Sequence, residues 1–186
     1  MWVTCGYINT EPLTELCEVI DAANVDLKSF DSSIYEKLNS GKLQPILNTL
    51  KTLKARGVWF EVTNLVVPTY TDDFNVMDDM CKWLVDNIGP DYPIHFSRFH
   101  PNHKLDNLPW TPTETLIEAR EIAKRAGLHY PYIGNVRGVQ DAETTFCPKC
   151  GKTVVGRDGY VVLEVNIEKG ACKFCDTKIA GVWTAR

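Results

Sequence analysis

The chain has 186 residues, 44% of them hydrophobic and 24% charged, and a formal net charge of −4. A chain this long and this apolar buries a core of its own, which excludes disorder as its main state. No apolar run approaches the ~18 residues of a membrane-spanning helix, and the mildly acidic balance gives no support to broad nucleic-acid binding.

The first 140 residues alternate between strand and helix patterns. Val3 opens a strand, and Thr10 is placed to cap a helix over about 11–20, with Glu11 and Pro12 in its first turn. Asn24 to Ser29 reads as a short strand. Pro45 to Arg56 reads as a helix with the stripe Ile46, Leu47, Leu50 and Leu53, and Gly57 follows its end. Val58 to Val67 is a β-rich run closed by Pro68, and Asp73 to Asn87 is an amphipathic helix stopped by Gly89-Pro90. Pro93 to Phe99 is a strand. Thr111-Pro112-Thr113-Glu114 has the form of a capping box, opening a helix to Ala126 that Gly127 ends. His129 to Ile133 is the fifth strand, and 134–145 is a connecting loop. Strand–helix units at this interval predict an α/β fold with a parallel sheet, either doubly wound or part of a (β/α) barrel.

Ligands of such folds bind at the C-terminal ends of the strands. That rule collects Thr4 and Asn9 after strand one, and Asp26 and Lys28 on one face of strand two. It adds Glu61, Thr63 and Asn64 in strand three, Arg98 and His100 at the end of strand four, and Asn135 and Arg137 after strand five. Asp26 and Lys28 are the informative pair. Residues two apart in a strand point the same way, and two charges on such a face imply a ligand or an ion pair. His95, His103 and His129 form no metal-ligand spacing with a carboxylate and stay unassigned.

Seven cysteines are too few for a disulfide scaffold, and their number is odd. The start Met-Trp-Val-Thr-Cys-Gly has no basic or apolar leader pattern, so a reducing, cytoplasmic setting is expected. Cys17 and Cys81 fall on apolar helical stripes and read as small buried hydrophobes. Cys147-Pro-Lys-Cys150 and Cys172-Lys-Phe-Cys175 are two C-x-x-C knuckles separated by 21 residues. Two knuckles supply the four thiolates of a tetrahedral site, structural Zn²⁺ or a rubredoxin-like iron. The stretch between them reads as a hairpin: Thr153 to Val155, a turn at Arg157-Asp158-Gly159, then Tyr160 to Val165. A module this small has little core of its own. Metal would supply its folding free energy, on the order of 10 kcal/mol or more. The expected division is therefore an α/β unit over 1–140 and a four-cysteine module over 141–186.

Five segments together resemble a known family. They are Trp2-Val-Thr-Cys-Gly-Tyr-Ile-Asn9, Asn24-Val-Asp-Leu-Lys28, Val66-Val-Pro68, Ser97-Arg-Phe-His100 and Cys147-Pro-Lys-Cys150-Gly151. In this order they resemble the C-terminal part of radical S-adenosylmethionine (SAM) enzymes related to pyruvate formate-lyase activating enzyme. The subgroup called the AmmeMemoRadiSam-system radical SAM enzyme is similar in carrying a C-terminal zinc-ribbon-like tail. The resemblance covers essentially the whole chain. It implies a partial (β/α)₆ barrel, with Lys28 and His100 at positions that contact SAM, and Thr4 and Asp26 at a monovalent-cation site beside it. The family's Asp-Thr-Asn-Gly is Val3-Thr4-Cys5-Gly6 here, without the aspartate. The family holds a [4Fe-4S] cluster on C-x-x-x-C-x-x-C, a motif absent from these 186 residues.

The resemblance therefore implies a C-terminal segment that lines part of a SAM and substrate site, begins at what would be the third barrel strand, and is inactive alone. Its partners would be the missing N-terminal half, in trans, or a protein substrate. Two other functions compete. One is a non-enzymatic zinc-ribbon protein that binds a partner through Lys149, Lys152, Arg157, Lys169, Lys173, Lys178 and Arg186, with Phe146, Tyr160, Phe174 and Trp183 among them. The other is a lyase with Lys28 as a Schiff-base amine tuned by Asp26.

Overall fold

A computed structural model describes residues 1–183; Arg186, counted above among the basic residues of the tail, lies outside the described residues. Five strands form one parallel sheet in the order β1-β2-β3-β4-β5: β1 (Trp2–Thr4), β2 (Ala22–Asp26), β3 (Trp59–Val66), β4 (Ile94–Arg98) and β5 (Pro131–Gly134). Each neighbour in space is the next strand in sequence, so the winding never reverses. Right-handed crossovers then put every helix on the same side of the sheet. The result is part of a barrel wall rather than a doubly wound sheet.

The helices are α1 (Thr10–Leu16), α2 (Ser32–Asn39), α3 (Leu43–Ala55), α4 (Phe74–Asn87) and α5 (Thr113–Ala126). Burial alternates strictly along β3. Phe60, Val62, Asn64 and Val66 are buried against helices, while Trp59, Glu61, Thr63 and Leu65 are half-buried on the other face. The core lies between sheet and helices, around Val25, Ile46, Leu50, Phe60, Phe96 and Leu116. The opposite, inner face carries polar side chains in register. Asp26, Thr63, His95 and Tyr132 stand side by side in one row, and Asn24 is level with Glu61.

Several boundaries differ from the sequence reading, each for a physical reason. Thr10 is the first residue of α1 rather than its cap, and Asn9 occupies the cap position without a side-chain bond. Beyond Leu16 the chain tightens into turns through Ile20, with bonds from Glu18 to Glu15 and from Val19 to Leu16, because Val19 faces solvent. α2 was not predicted; Asp31 caps it by accepting from the Ser33 and Ile34 amides. β2 ends at Asp26, so Lys28 and Ser29 lie beyond it. Gly6 ends β1 at φ 70°, and a Cβ there would meet Val25 at 2.9 Å, so the turn into α1 requires glycine. The 134–145 loop is not a free linker: Ile133 donates to the Ala142 carbonyl, and Ala142 is buried in the main core. β1 is an edge strand: among the described residues β2 is its only strand neighbour, and Val3 on it is 67% exposed. No helix among the described residues is long and apolar enough to cross a membrane.

Thr111 overturns the capping-box reading. Its side chain is fully buried and turns away from α5, whose cap position is Pro112. The hydroxyl donates to the Val66 carbonyl at 2.6 Å and accepts the Phe99 amide at 2.8 Å, tying the C-terminal ends of β3 and β4 together. Thr111→Val leaves both backbone groups buried without a partner, at a cost of about 2 kcal/mol. At this chain length that lowers Tm by roughly 4–8 °C in a thermal melt, and Thr111→Ser recovers most of it.

Candidate functional site

The C-terminal tail builds its site from two knuckles. β6 (Thr145–Phe146), β7 (Thr153–Asp158) and β8 (Val161–Val165) form one antiparallel sheet; β9 (Ile167–Glu168) and β10 (Ala171–Cys172) form a second. The Sγ atoms of Cys147, Cys150, Cys172 and Cys175 all lie within 4.8 Å of one another. Two separations are 3.6 Å (Cys147–Cys175) and 3.8 Å (Cys150–Cys172). A disulfide needs about 2.05 Å. Metal–sulfur bonds of ~2.3 Å in a tetrahedron put the sulfurs about 3.8 Å apart. The four cysteines therefore fit a metal. Thr177, through its hydroxyl and its backbone amide, lowers the Cys175 thiol. At Cys150 the backbone bond of Lys152, which lowers the thiol, is outweighed by burial and the neighbouring sulfurs, which raise it, so the four thiols share their protons unequally.

This module sits on β5. Tyr130 and Tyr132 pack against Cys147, Val154, Cys172 and Ile179 in a single apolar cluster. The Tyr132 hydroxyl pairs with Thr145 Oγ1 at 2.8 Å, and the Ala180 amide donates to the Tyr130 hydroxyl. Burial pushes the Tyr130 phenol up to about 12.

At the C-terminal ends of the strands, Lys28 and Asp26 are brought together: Nζ donates to Oδ2 at 2.6 Å, with both side chains about a third exposed. Lys28 also lines a cavity of about 200 Å³ with Cys5, Tyr7 and Tyr35. Arg98 and His100 meet on another element. The Arg98 guanidinium lies 5.4 Å over the Trp110 ring and donates to the Thr111 carbonyl, and the His100 ring is 5.5 Å from Trp110. Thr4 is not drawn to Asp26. It is level with Val25, whose face of the sheet packs against helices, and its hydroxyl accepts the Gly6 amide. Asn64 is likewise on the helix side, donating to the Leu27 carbonyl.

Sequence reasoning missed a second cluster. On the inner face His95 Nε2 and Glu61 Oε2 are 2.6 Å apart. The imidazole bond holds the Glu61 carboxyl below its ordinary range against the opposing effect of burial. An ionised carboxylate only accepts, so Nε2 carries the proton. The His95 ring stacks on Tyr132 at 5.0 Å. Arg157, read from sequence as part of a turn and of a charged tail face, reaches this cluster instead. β7 continues through Asp158, and an irregularity between Gly156 and Arg157 re-aims the side chain. The signal available in sequence was phase: Glu61 alternates with Phe60 and Val62, and His95 with Ile94 and Phe96.

Comparison with known proteins follows this geometry. No family model matches the chain. The uncharacterized protein MJ0808 of Methanocaldococcus jannaschii is 42% identical over 181 residues, covering 95% of this chain and 53% of its own length. The chain thus spans about half of the curated relative it matches. Among solved structures, a domain of pyruvate-formate lyase-activating enzyme from Bacteroides vulgatus superposes with a TM-score of 0.61 at 18% identity, covering 71% of this chain and 79% of that one. A radical SAM methyltransferase from Sphaerobacter thermophilus superposes at 0.59 and 12% identity, covering 81% of this chain and 43% of that one. These likenesses establish the fold: the sheet and its helices superpose on part of the α/β fold of both structures.

Metal removal tests the four-cysteine site. Cys172→Ser, or a strong chelator, is expected to bring the metal content from one ion per chain to none by elemental analysis. Proteolysis then opens the 143–183 segment while the five-stranded sheet resists. A stripped tail as resistant as the loaded one would contradict a metal-dependent fold.

Proposed function

We propose that this chain is the C-terminal segment of a radical SAM enzyme similar to pyruvate formate-lyase activating enzyme, and that it lines part of the SAM and substrate site. The observation that carries this reading is the singly wound sheet, with its helices on one face and a polar inner face, together with its superposition on two radical SAM-type structures. The longer relative supports it, because half of that protein lies outside the match.

In this reading Lys28 pairs the methionyl carboxylate of SAM. Its ammonium has three donors and gives one to Asp26, which leaves donors for a ligand. His100 hydrogen-bonds a ribose hydroxyl or an amino group, and Arg98 holds the Trp110 platform beside it. Asp26 serves the carboxylate side of the site by holding Lys28, whereas Thr4, on the other face of β1, takes no part in it. The cluster ligands come from another polypeptide or from a longer form of this one. Cys5 is exposed, Cys17 is half-buried at the C-terminal cap of α1 and Cys81 is buried on α4, and they form no metal-ligating group among the described residues. A bound [4Fe-4S] cluster would supply the electron that cleaves SAM to a 5′-deoxyadenosyl radical. The four-cysteine site holds Zn²⁺ or iron in a structural role, and the protein works in the cytoplasm. A partner-binding tail is the second reading, favoured by β8, where Val161, Val162, Leu163 and Val165 are all more than half exposed.

Anaerobic iron–sulfide reconstitution of this chain, followed by reduction with SAM, tests the proposal. The expected result is no 5′-deoxyadenosine by chromatography, whether or not the four-cysteine site takes up iron. Its appearance would show that the chain carries its own radical chemistry.

A further inference from the structure

The Glu61–His95 cluster lies on the same inner face as Asp26, displaced across the sheet toward β5, where the tail packs. Two adjoining cavities open where the tail meets β3, β4 and β5, and both are lined by Glu61, Tyr132 and Arg157. One, of about 250 Å³, adds His95 and Glu143. The other, of about 180 Å³, adds Trp59, Tyr130 and Trp183. The first end is charged and the second aromatic.

Each wall is held in place. Arg157 Nη1 donates to the Glu143 carbonyl at 3.2 Å and to Thr145 Oγ1 at 3.0 Å, which fixes the guanidinium beside Tyr132. Glu61 is ionised and oriented by His95. Trp59 stacks on Tyr92 at 5.2 Å, and Trp183 Nε1 donates to the Ile179 carbonyl at 2.8 Å. A fixed guanidinium selects a planar carboxylate. Glu61, ionised, and Glu143 line the same charged end, which disfavours a simple anion and favours a ligand that also carries a cation. The aromatic end accepts a flat apolar body.

We propose that these joined cavities bind a small zwitterion with an aromatic body, that is, a free aromatic α-amino acid. Its carboxylate lies on Arg157, its ammonium toward Glu61 and Glu143, and its ring between Trp59 and Trp183. The tail thereby completes a binding site on the barrel's inner face. Binding is read directly and needs no cluster, so its failure and the failure of the radical reading are distinguishable.

The test is a titration of the metal-loaded full chain by calorimetry and tryptophan fluorescence, with L-phenylalanine as probe. Phenylacetate and phenethylamine each lack one charge, and L-alanine lacks the ring. L-Phenylalanine is expected to saturate, and each truncated probe to bind about tenfold or more weakly, the size of one lost charged or aromatic contact. Arg157→Gln loses a similar factor, and Arg157→Lys recovers part of it. Should Arg157→Gln fail to hold its metal, Trp59→Leu replaces it and is expected to weaken L-phenylalanine without changing L-alanine. No saturation by L-phenylalanine, equal binding of phenylacetate or phenethylamine, or unchanged affinity in the variants would overturn the proposal.

Discussion

Winding in one direction forces all helices of a parallel sheet onto one side, and most of this structure follows from that asymmetry. The helix side takes Val25, Phe60, Val62, Ile94 and Phe96 and becomes the core. Among the described residues no helix covers the other side, so its side chains tolerate water or pair among themselves. Asn24 with Thr63, Asp26 with Lys28 and Glu61 with His95 do so. A face of that kind is unstable as a hydrophobic surface and well suited to polar ligands. Fold and site thus share one cause.

The tail modifies this asymmetry at one edge only. Tyr130 and Tyr132 are buried because the four-cysteine module lies on them, whereas β1 at the opposite edge stays open among the described residues. The module has few apolar contacts of its own. A metal held by its four thiolates would brace this module, which packs on β5 and carries Arg157 to the inner face.

The strands and the longer helices were legible because each shows its period within a short window: the Ile46–Leu53 stripe of α3 and the Met77–Leu84 stripe of α4 are local signals. The four-cysteine site was legible for the same reason, since each knuckle is complete within four residues. What escaped depends on distant partners. Thr111 satisfies a local capping pattern, yet two backbone groups on other strands compete for its hydroxyl more effectively than the helix end does. The short helix α2 buries only Tyr35 and is capped by Asp31. Glu61 and His95 are 34 residues apart and become neighbours only through strand register. Arg157 reaches them only because its strand is irregular. Of the expected SAM-side residues, the sheet joins Asp26 to Lys28 and Trp110 joins Arg98 to His100, while Thr4 lies on the opposite face from Asp26.

The most direct measurement is the intact mass of the native protein purified from its source cells, together with the identity of anything that copurifies. This account predicts either a product well above the 21.0 kDa of these 186 residues or a 21.0 kDa chain in a stable complex with a second polypeptide, with C-x-x-x-C-x-x-C present in the added sequence. A native product of 21.0 kDa that occurs alone, with no such polypeptide bound, would contradict it.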